Sequence, residues 1–203
     1  MKIGKFRMAA PILFMVLFTY SHSGFDLSFR NTNLGIGMGT RWIDFDLKFN
    51  GMNQKYSTGN SAGLSLYLQK ILTQKYGLDF TIYQEWNGHR KLMGVNDSDM
   101  MEVGTYSSEG SSGLIRVGVY REFAGVVQFG MNVGVCGLGL HPSDIIANDF
   151  NGASLGLIPT LKVSFPNKSK HGCSFIVYGG AAILGNFTGK MVGGALNYEI
   201  RLR

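Results

Sequence analysis

Period-two alternation over Leu114 to Cys136 constrains this chain more than any other stretch. Ile115, Val117 and Val119 occupy one parity, and Arg116, Gly118 and Tyr120 the other. After Arg121-Glu122-Phe123-Ala124 the pattern resumes, with Val127, Phe129, Met131, Val133 and Val135 against Gln128, Gly130, Asn132, Gly134 and Cys136. Successive side chains of an extended strand point to opposite faces, so strict alternation means strands. A connection of about four residues makes the pair an antiparallel hairpin. One face is continuously apolar and the other is small or polar. The outer environment of the whole fold is decided by which face meets solvent.

The same alternation recurs along the chain. Roughly 33–49 reads as a first strand, in which Leu34, Ile36 and Met38 alternate with glycines before the pattern slips near Arg41-Trp42. Beyond the slip Ile43, Phe45, Leu47 and Phe49 alternate with Asp44, Asp46 and Lys48, and a bulge near Arg41 would absorb the change. Leu64, Leu66 and Leu68 mark a second strand, and Leu78, Phe80, Ile82 and Trp86 a third. The opening hairpin supplies the fourth and fifth. Leu155 to Phe165, Phe175 to Ile183 and Val192 to Leu202 supply the last three. The connections after strands two, four and six are short turns at Leu72–Lys75, Arg121–Ala124 and Pro166–Lys170. Those spanning 50–61, 87–113 and 137–153 are long and polar, and 185–189 is modest.

Composition narrows the class. Glycine numbers 29 with only 4 prolines, which suits crowded strands rather than a linker. The first 23 residues read as a secretory signal: Lys2, Lys5 and Arg7 precede the apolar run Met8 to Tyr20, with small residues Ser21 and Ser23 before Gly24. The domain reading is therefore 1–23 signal peptide and 24–203 barrel. Three of the 19 basic residues lie in that segment, so half of the formal +6 belongs to targeting and argues for no nucleic-acid partner.

The pattern resembles the small eight-stranded outer-membrane barrels of Gram-negative bacteria, the OmpA, OmpX and OmpW type. That resemblance implies an all-β, eight-stranded antiparallel up-and-down transmembrane barrel with a polar interior, short periplasmic turns and longer outer loops. It further implies residence in the outer membrane beside lipid and lipopolysaccharide, and a non-enzymatic role in which outer loops make surface or adhesive contacts. The last strand of such proteins usually ends in an aromatic residue, whereas this chain ends Leu202-Arg203. A narrow channel for small or apolar solutes is one alternative. A secreted soluble lipocalin-like calyx, with the faces inverted, is another.

On the membrane reading Val117, Val119, Val127, Phe129, Met131 and Val133 face lipid. The expected lumen set is Asp44, Asp46, Lys48, Asp79, Glu85, Arg116, Lys162, Glu199 and Arg201, nearly balanced in charge as a filled interior requires. No cofactor or metal is expected. His89, His141 and His171 lack ligand spacing, and Asp97, Asp99 and Glu102 read as a solvated acidic loop. His141-Pro142-Ser143-Asp144 is similarly read as loop rather than hydrolase machinery. Cys136 and Cys173 fall at opposite ends of the barrel, too far apart for a disulfide.

Overall fold

Eight alternating segments joined by hairpins leave two unpaired edges unless the first and last strands meet. In the computed structural model, which describes residues 31–49, 52–95, 102–142, 150–165 and 170–202, they do meet. The strands are β1 (Thr32–Phe49), β2 (Met52–Ile71), β3 (Tyr76–Val95), β4 (Glu102–Phe123), β5 (Val127–Pro142), β6 (Phe150–Phe165), β7 (His171–Gly185) and β8 (Phe187–Leu202). Each pairs antiparallel with its neighbours in sequence, and β1 pairs with β8 to close the barrel. The closing ladder runs without a shift from Thr32↔Leu202 to Leu47↔Phe187. The signal segment, Ser143 and Asp144, Asp97 and Asp99, and Pro166 to Ser169 lie outside the described residues, as do the side chains of Lys48, His89, Glu102 and His141.

The short connections cluster at one end, and the sequence chemistry explains their tightness. Ala124 and Gly125 both adopt positive φ (53° and 72°), the geometry a tight hairpin needs to match strand twist. This turn is shifted from Arg121–Ala124, because β4 continues in register through Phe123↔Val127. At the other end, the polar stretches expected to be loops are largely strand. β1 and β2 remain paired to Phe49↔Met52, and β3 and β4 to Val95↔Glu102. Two tall hairpins thus project from this end. The β6–β7 ladder has a gap within the barrel: the strands pair at Leu157↔Ala181 and Thr160↔Tyr178 but not between. Pro159, which lacks an N–H, sits in that gap opposite the Gly179-Gly180 pair.

Outward-facing side chains divide into two zones. Toward the short turns they are apolar and bare: Ile36 is 61% exposed and Met38 66%, with Leu64, Leu66, Val117, Val119, Phe129, Met131, Val133, Leu157, Leu161 and Leu196 also exposed. Val127 lies on the same outward parity at the turn end and is half-buried. On β1 this belt runs from Leu34 to Trp42, about 26 Å along the strand at about 3.3 Å per residue. Strand tilt reduces that toward the ~25 Å band of transmembrane barrels. Tyr76, Phe123, Phe165 and Tyr198 rim the belt at the turn end, and the Arg121 guanidinium lies 5.6 Å and 5.0 Å from the Tyr76 and Phe123 ring centroids. Such amphipathic pairs suit a membrane–water boundary.

Beyond Trp42 the code inverts, and two expected lumen residues are corrected. β1 keeps one unbroken parity against β8. The irregularity lies on β2, where the register passes from Arg41↔Ser61 to Ile43↔Thr58. Ile43 and Phe45 are therefore inside, 0% and 1% exposed. Asp44 and Asp46 point outward, beside Lys190 and Thr188 of β8. The reason is the change of outer medium. Where the exterior is water rather than hydrocarbon, apolar residues gain by turning in and carboxylates by turning out.

The two zones make opposite predictions for single charges. Phe129→Arg is expected to destabilise the lipid-inserted barrel by about 2–4 kcal/mol, whereas Thr188→Lys, outward but above the belt, should change stability by less than about 0.5 kcal/mol. Urea titration of folding into lipid vesicles measures both. Equal losses would mean the belt has been misplaced.

Candidate functional site

Among the described residues, polar and charged side chains are brought together in the interior. Inward positions alternate with lipid-facing ones on all eight strands, so the fold delivers charged, tyrosyl and glycyl residues to a lumen about as wide as its side chains. Three cations are stacked along it, each over a tyrosine ring and each near a carboxylate.

Nearest the short turns, Lys162 of β6 is 2.8 Å from Oε1 of Glu199 on β8. Its Nζ also donates to Gln69 Oε1 at 3.1 Å and to the Tyr67 hydroxyl at 3.3 Å, and it lies 4.7 Å from the Tyr67 ring centroid. The Ser174 hydroxyl donates to Glu199. Gln69 donates to Gln128 at 2.6 Å, and Gln128 donates to Glu122 at 2.9 Å. Six strands are tied across the lumen by this one network.

In the middle, the Arg116 guanidinium of β4 lies 5.1 Å from the Tyr178 ring centroid of β7, with Asp79 of β3 as its nearest carboxylate charge. Toward the hairpin end, Arg41 of β1 meets Glu85 of β3 through Nε–Oε1 at 3.3 Å and Nη2–Oε2 at 3.4 Å. The Ser112 hydroxyl closes the triangle, accepting from Arg41 at 2.9 Å and donating to Glu85 at 2.6 Å. Arg41 also lies 5.3 Å from the Tyr83 ring centroid. Above it comes an apolar stopper of Ile43, Phe45, Leu138, Phe187 and Met191, all buried. The Phe45 and Phe187 rings pack at 4.5 Å, and Cys136 Sγ lies 3.8 Å from Met191 Sδ.

Glycine makes room for these rings. Tyr178 sits directly across from Gly193, where any Cβ would collide with its ring and hydroxyl. Gly77 plays the same part for Tyr120. Glycine opposite an inward tyrosine thus lets an eight-stranded barrel hold large rings without widening.

Of the residues expected in the lumen, Asp79, Glu85, Arg116, Lys162 and Glu199 are placed there and buried. Arg201 has the same parity but is exposed at the turn-end rim, Asp44 and Asp46 are placed outward as described, and the Lys48 side chain lies outside the described residues. Arg41 was missed, although it is nearly fully buried and pairs with Glu85. The signal was present: Gly35, Gly37, Gly39 and Arg41 share one parity, and continuing it without a slip puts Arg41 inside. Gln128, Tyr120 and Asn132, placed on the inner face by parity, are buried there, whereas Gln69, Ser112, Tyr67, Tyr83 and Tyr178 were passed over because the sequence gives parity but not depth. Cys136 is a buried free thiol, and Cys173 an exposed one. Among the described residues no three His, Cys, Asp or Glu side chains converge as metal ligands would.

A closed eight-stranded barrel with an apolar belt outside and paired charges within defines the class: the fold is that of the small outer-membrane barrels. The solved structures agree. Ail, the attachment invasion locus protein of Yersinia pestis, aligns at 13% identity with a TM-score of 0.57, covering 85% of this chain and 99% of that one. The same protein in complex with the heparin analogue sucrose octasulfate aligns at 14% identity and a TM-score of 0.54, covering 84% and 97%. Neisserial surface protein A aligns at 10% identity and a TM-score of 0.47, covering 85% and 97%. No family model and no curated protein matches the sequence.

Removing one partner of the Arg41–Glu85 pair strands a buried charge, which costs about 3–5 kcal/mol. Glu85→Ala is therefore expected to lower the urea midpoint strongly. The double variant Arg41→Met/Glu85→Leu should recover most of the loss, since it leaves neither charge alone. A double variant as unstable as the single one would show that the pair is not the source of the effect.

Proposed function

We propose that this protein is an outer-membrane barrel of the Gram-negative cell envelope that works through its projecting hairpins as a surface-contact or adhesive protein, without catalysis. The observation that carries the membrane part is the belt: large apolar side chains such as Ile36, Met38, Val119, Leu157 and Leu196 are half exposed or more around a barrel whose ionised groups at that level, Arg41, Asp79, Glu85, Arg116, Lys162 and Glu199, are inside. In water that distribution is unfavourable by roughly 25 cal/mol per Å² of apolar surface. In a bilayer it is the required arrangement, because closure satisfies the backbone and lipid covers the belt. On this reading the short turns are periplasmic, and the β1–β2 and β3–β4 hairpins stand outside the cell beside lipopolysaccharide.

Contact rather than conduction is favoured by the filled lumen. Arg41, Arg116, Tyr67, Tyr83 and Glu85 are each at most 2% exposed, so each tier fills its cross-section, and the apolar stopper covers the hairpin end. The surface partner is the least defined part. Ail, which shares the fold, is an attachment protein solved with a heparin analogue, and this supports an adhesive reading. The sequence of the three longer outer segments argues for different ligand chemistry here: 50–61, 87–113 and 137–153 hold three cations (Lys55, Arg90, Lys91) against six carboxylates. A net acidic surface repels sulfated polysaccharide and favours a basic protein partner or divalent-cation bridging to lipid A phosphates.

The expected behaviour is concrete. The protein fractionates with the outer membrane, and in detergent its unheated form migrates differently from the boiled form on a gel. In planar bilayers it gives no steady conductance. Unchanged gel mobility on boiling would overturn the membrane-barrel reading, and a steady single-channel current would replace contact with a channel.

A further inference from the structure

The short-turn end of the barrel presents charge of one sign. Among the described residues Lys70, Lys75, Arg121, Lys170 and Arg201 lie there, the last four exposed. The carboxylates at this end are engaged in the lumen network instead. Glu199 pairs with Lys162 at 2.8 Å, and Glu122 accepts from Gln128 at 2.9 Å. Lys75, Arg121, Lys170 and Arg201 have no ion-pair partner among the described residues. The sequence of the long segments at the other end is opposite in sign, with six carboxylates against three cations.

Arg121 is the best placed of these cations. It follows Val117 and Val119 on the outward parity of β4, roughly 7 Å along the strand beyond Val119. Tyr76 of β3 is its register partner, and its guanidinium lies 5.6 Å and 5.0 Å from the Tyr76 and Phe123 ring centroids. Two half-exposed rings therefore seat it at the edge of the apolar belt. Lys75 adjoins it, the Lys75 carbonyl accepting from Glu122 N at 2.7 Å. Further round, Arg201 N donates to the Lys170 carbonyl at 2.8 Å, and Lys70 flanks Thr32 on the side opposite Leu202. The cations thus follow an arc from β7 through the closing seam to β4. The polar layer on each side of a bilayer is roughly 5–8 Å deep, so a side chain at the belt edge meets lipid phosphates.

We propose that this arc is a binding surface for phospholipids whose headgroup carries net negative charge, with Arg121 as the principal contact. The inference rests on the membrane reading above and adds the class of lipid. A guanidinium offers a phosphate two parallel N–H donors, and the flanking rings hold it in place by cation–π attraction. A zwitterionic headgroup brings its own cation, which Lys75 and the rest of the arc repel. An anionic headgroup brings none, so the summed field favours it. With the short turns periplasmic, the lipid concerned belongs to the phospholipid leaflet.

The test places a single fluorescent reporter beside Arg121 by combining Trp42→Phe, Trp86→Phe and Tyr76→Trp in the whole barrel. The protein is refolded into bilayers mixing phosphatidylcholine with phosphatidylglycerol, one or the other carrying brominated acyl chains. Quenching then reads which lipid sits beside residue 76. Phosphatidylglycerol is expected to be enriched there by roughly fivefold at low ionic strength, and the enrichment should shrink as salt is added. Arg121→Gln should remove most of it and Arg121→Lys should keep it, whereas Lys190→Gln, at the other end, should leave it unchanged. Equal quenching by the two lipids overturns the proposal, as does an enrichment that Arg121→Gln leaves intact. The heat-induced gel shift of the same samples separates the two readings. Equal quenching in a barrel that shows the shift sinks the lipid assignment alone, and absence of the shift sinks the membrane reading with it.

Discussion

Everything in this structure depends on the pairing of β1 with β8. A sheet in hydrocarbon cannot leave an edge, because each unmet N–H or C=O there costs several kcal/mol and finds no water to bond. The uninterrupted ladder from Thr32↔Leu202 to Leu47↔Phe187 removes both edges at once. Closure then forces strict alternation on all eight strands, since a parity slip in one would put a whole face on the wrong side. The irregularities that exist respect this rule. The β1–β2 bulge sits on β2, where two residues face one, and leaves β1 unbroken against β8.

That constraint explains which parts of the fold were legible in the sequence. Strand number and antiparallel order followed from alternation and turn residues alone, as did the outward placement of Val117 and Phe129. The error came at Trp42, where a change of medium looked like a change of parity. Alternation of apolar with polar residues has the same form whether the apolar side faces lipid or the interior. Ile43 and Phe45 alternate with Asp44 and Asp46 as Leu34 and Ile36 do with glycine, yet they point the other way. The phase was written in the unbroken run Gly35, Gly37, Gly39, Arg41. Reading it required trusting geometry over hydropathy. The loops were overestimated for a related reason: Ser, Gly and Asn suggest turns, but in a tall hairpin outside the membrane they are simply a solvated ladder.

The lumen was legible in composition but not in arrangement. Parity places Lys162 and Glu199 on the same inner surface, but nothing local puts β6 opposite β8 at the same depth. Depth is set by register and tilt, which accumulate around the closed sheet. For the same reason the pairing of Arg41 with Glu85, 44 residues apart in sequence, emerges only from the assembled barrel. Glycines opposite tyrosines are a finer version of the same point. Gly193 has no evident purpose until Tyr178 is seen lying across it.

A polar core also solves a problem peculiar to this setting. In water, burial of apolar side chains tells a chain which face is inside; with lipid outside, an apolar interior would gain little over an apolar exterior. Sidedness must come from groups that lipid refuses. Arg41, Arg116 and Lys162 placed outward at mid-membrane would each cost on the order of 2–4 kcal/mol, and their three carboxylates would add to that. The inverted barrel is thus disfavoured by on the order of 10 kcal/mol before packing is considered. Pairing each cation with a carboxylate and a tyrosine face keeps the correct barrel from bearing the same penalty internally. Above Trp42 water takes over outside, the hydrophobic effect again distinguishes the faces, and the interior turns apolar at that level. The charged tiers and the apolar stopper are therefore two answers to one requirement, each suited to the medium outside it.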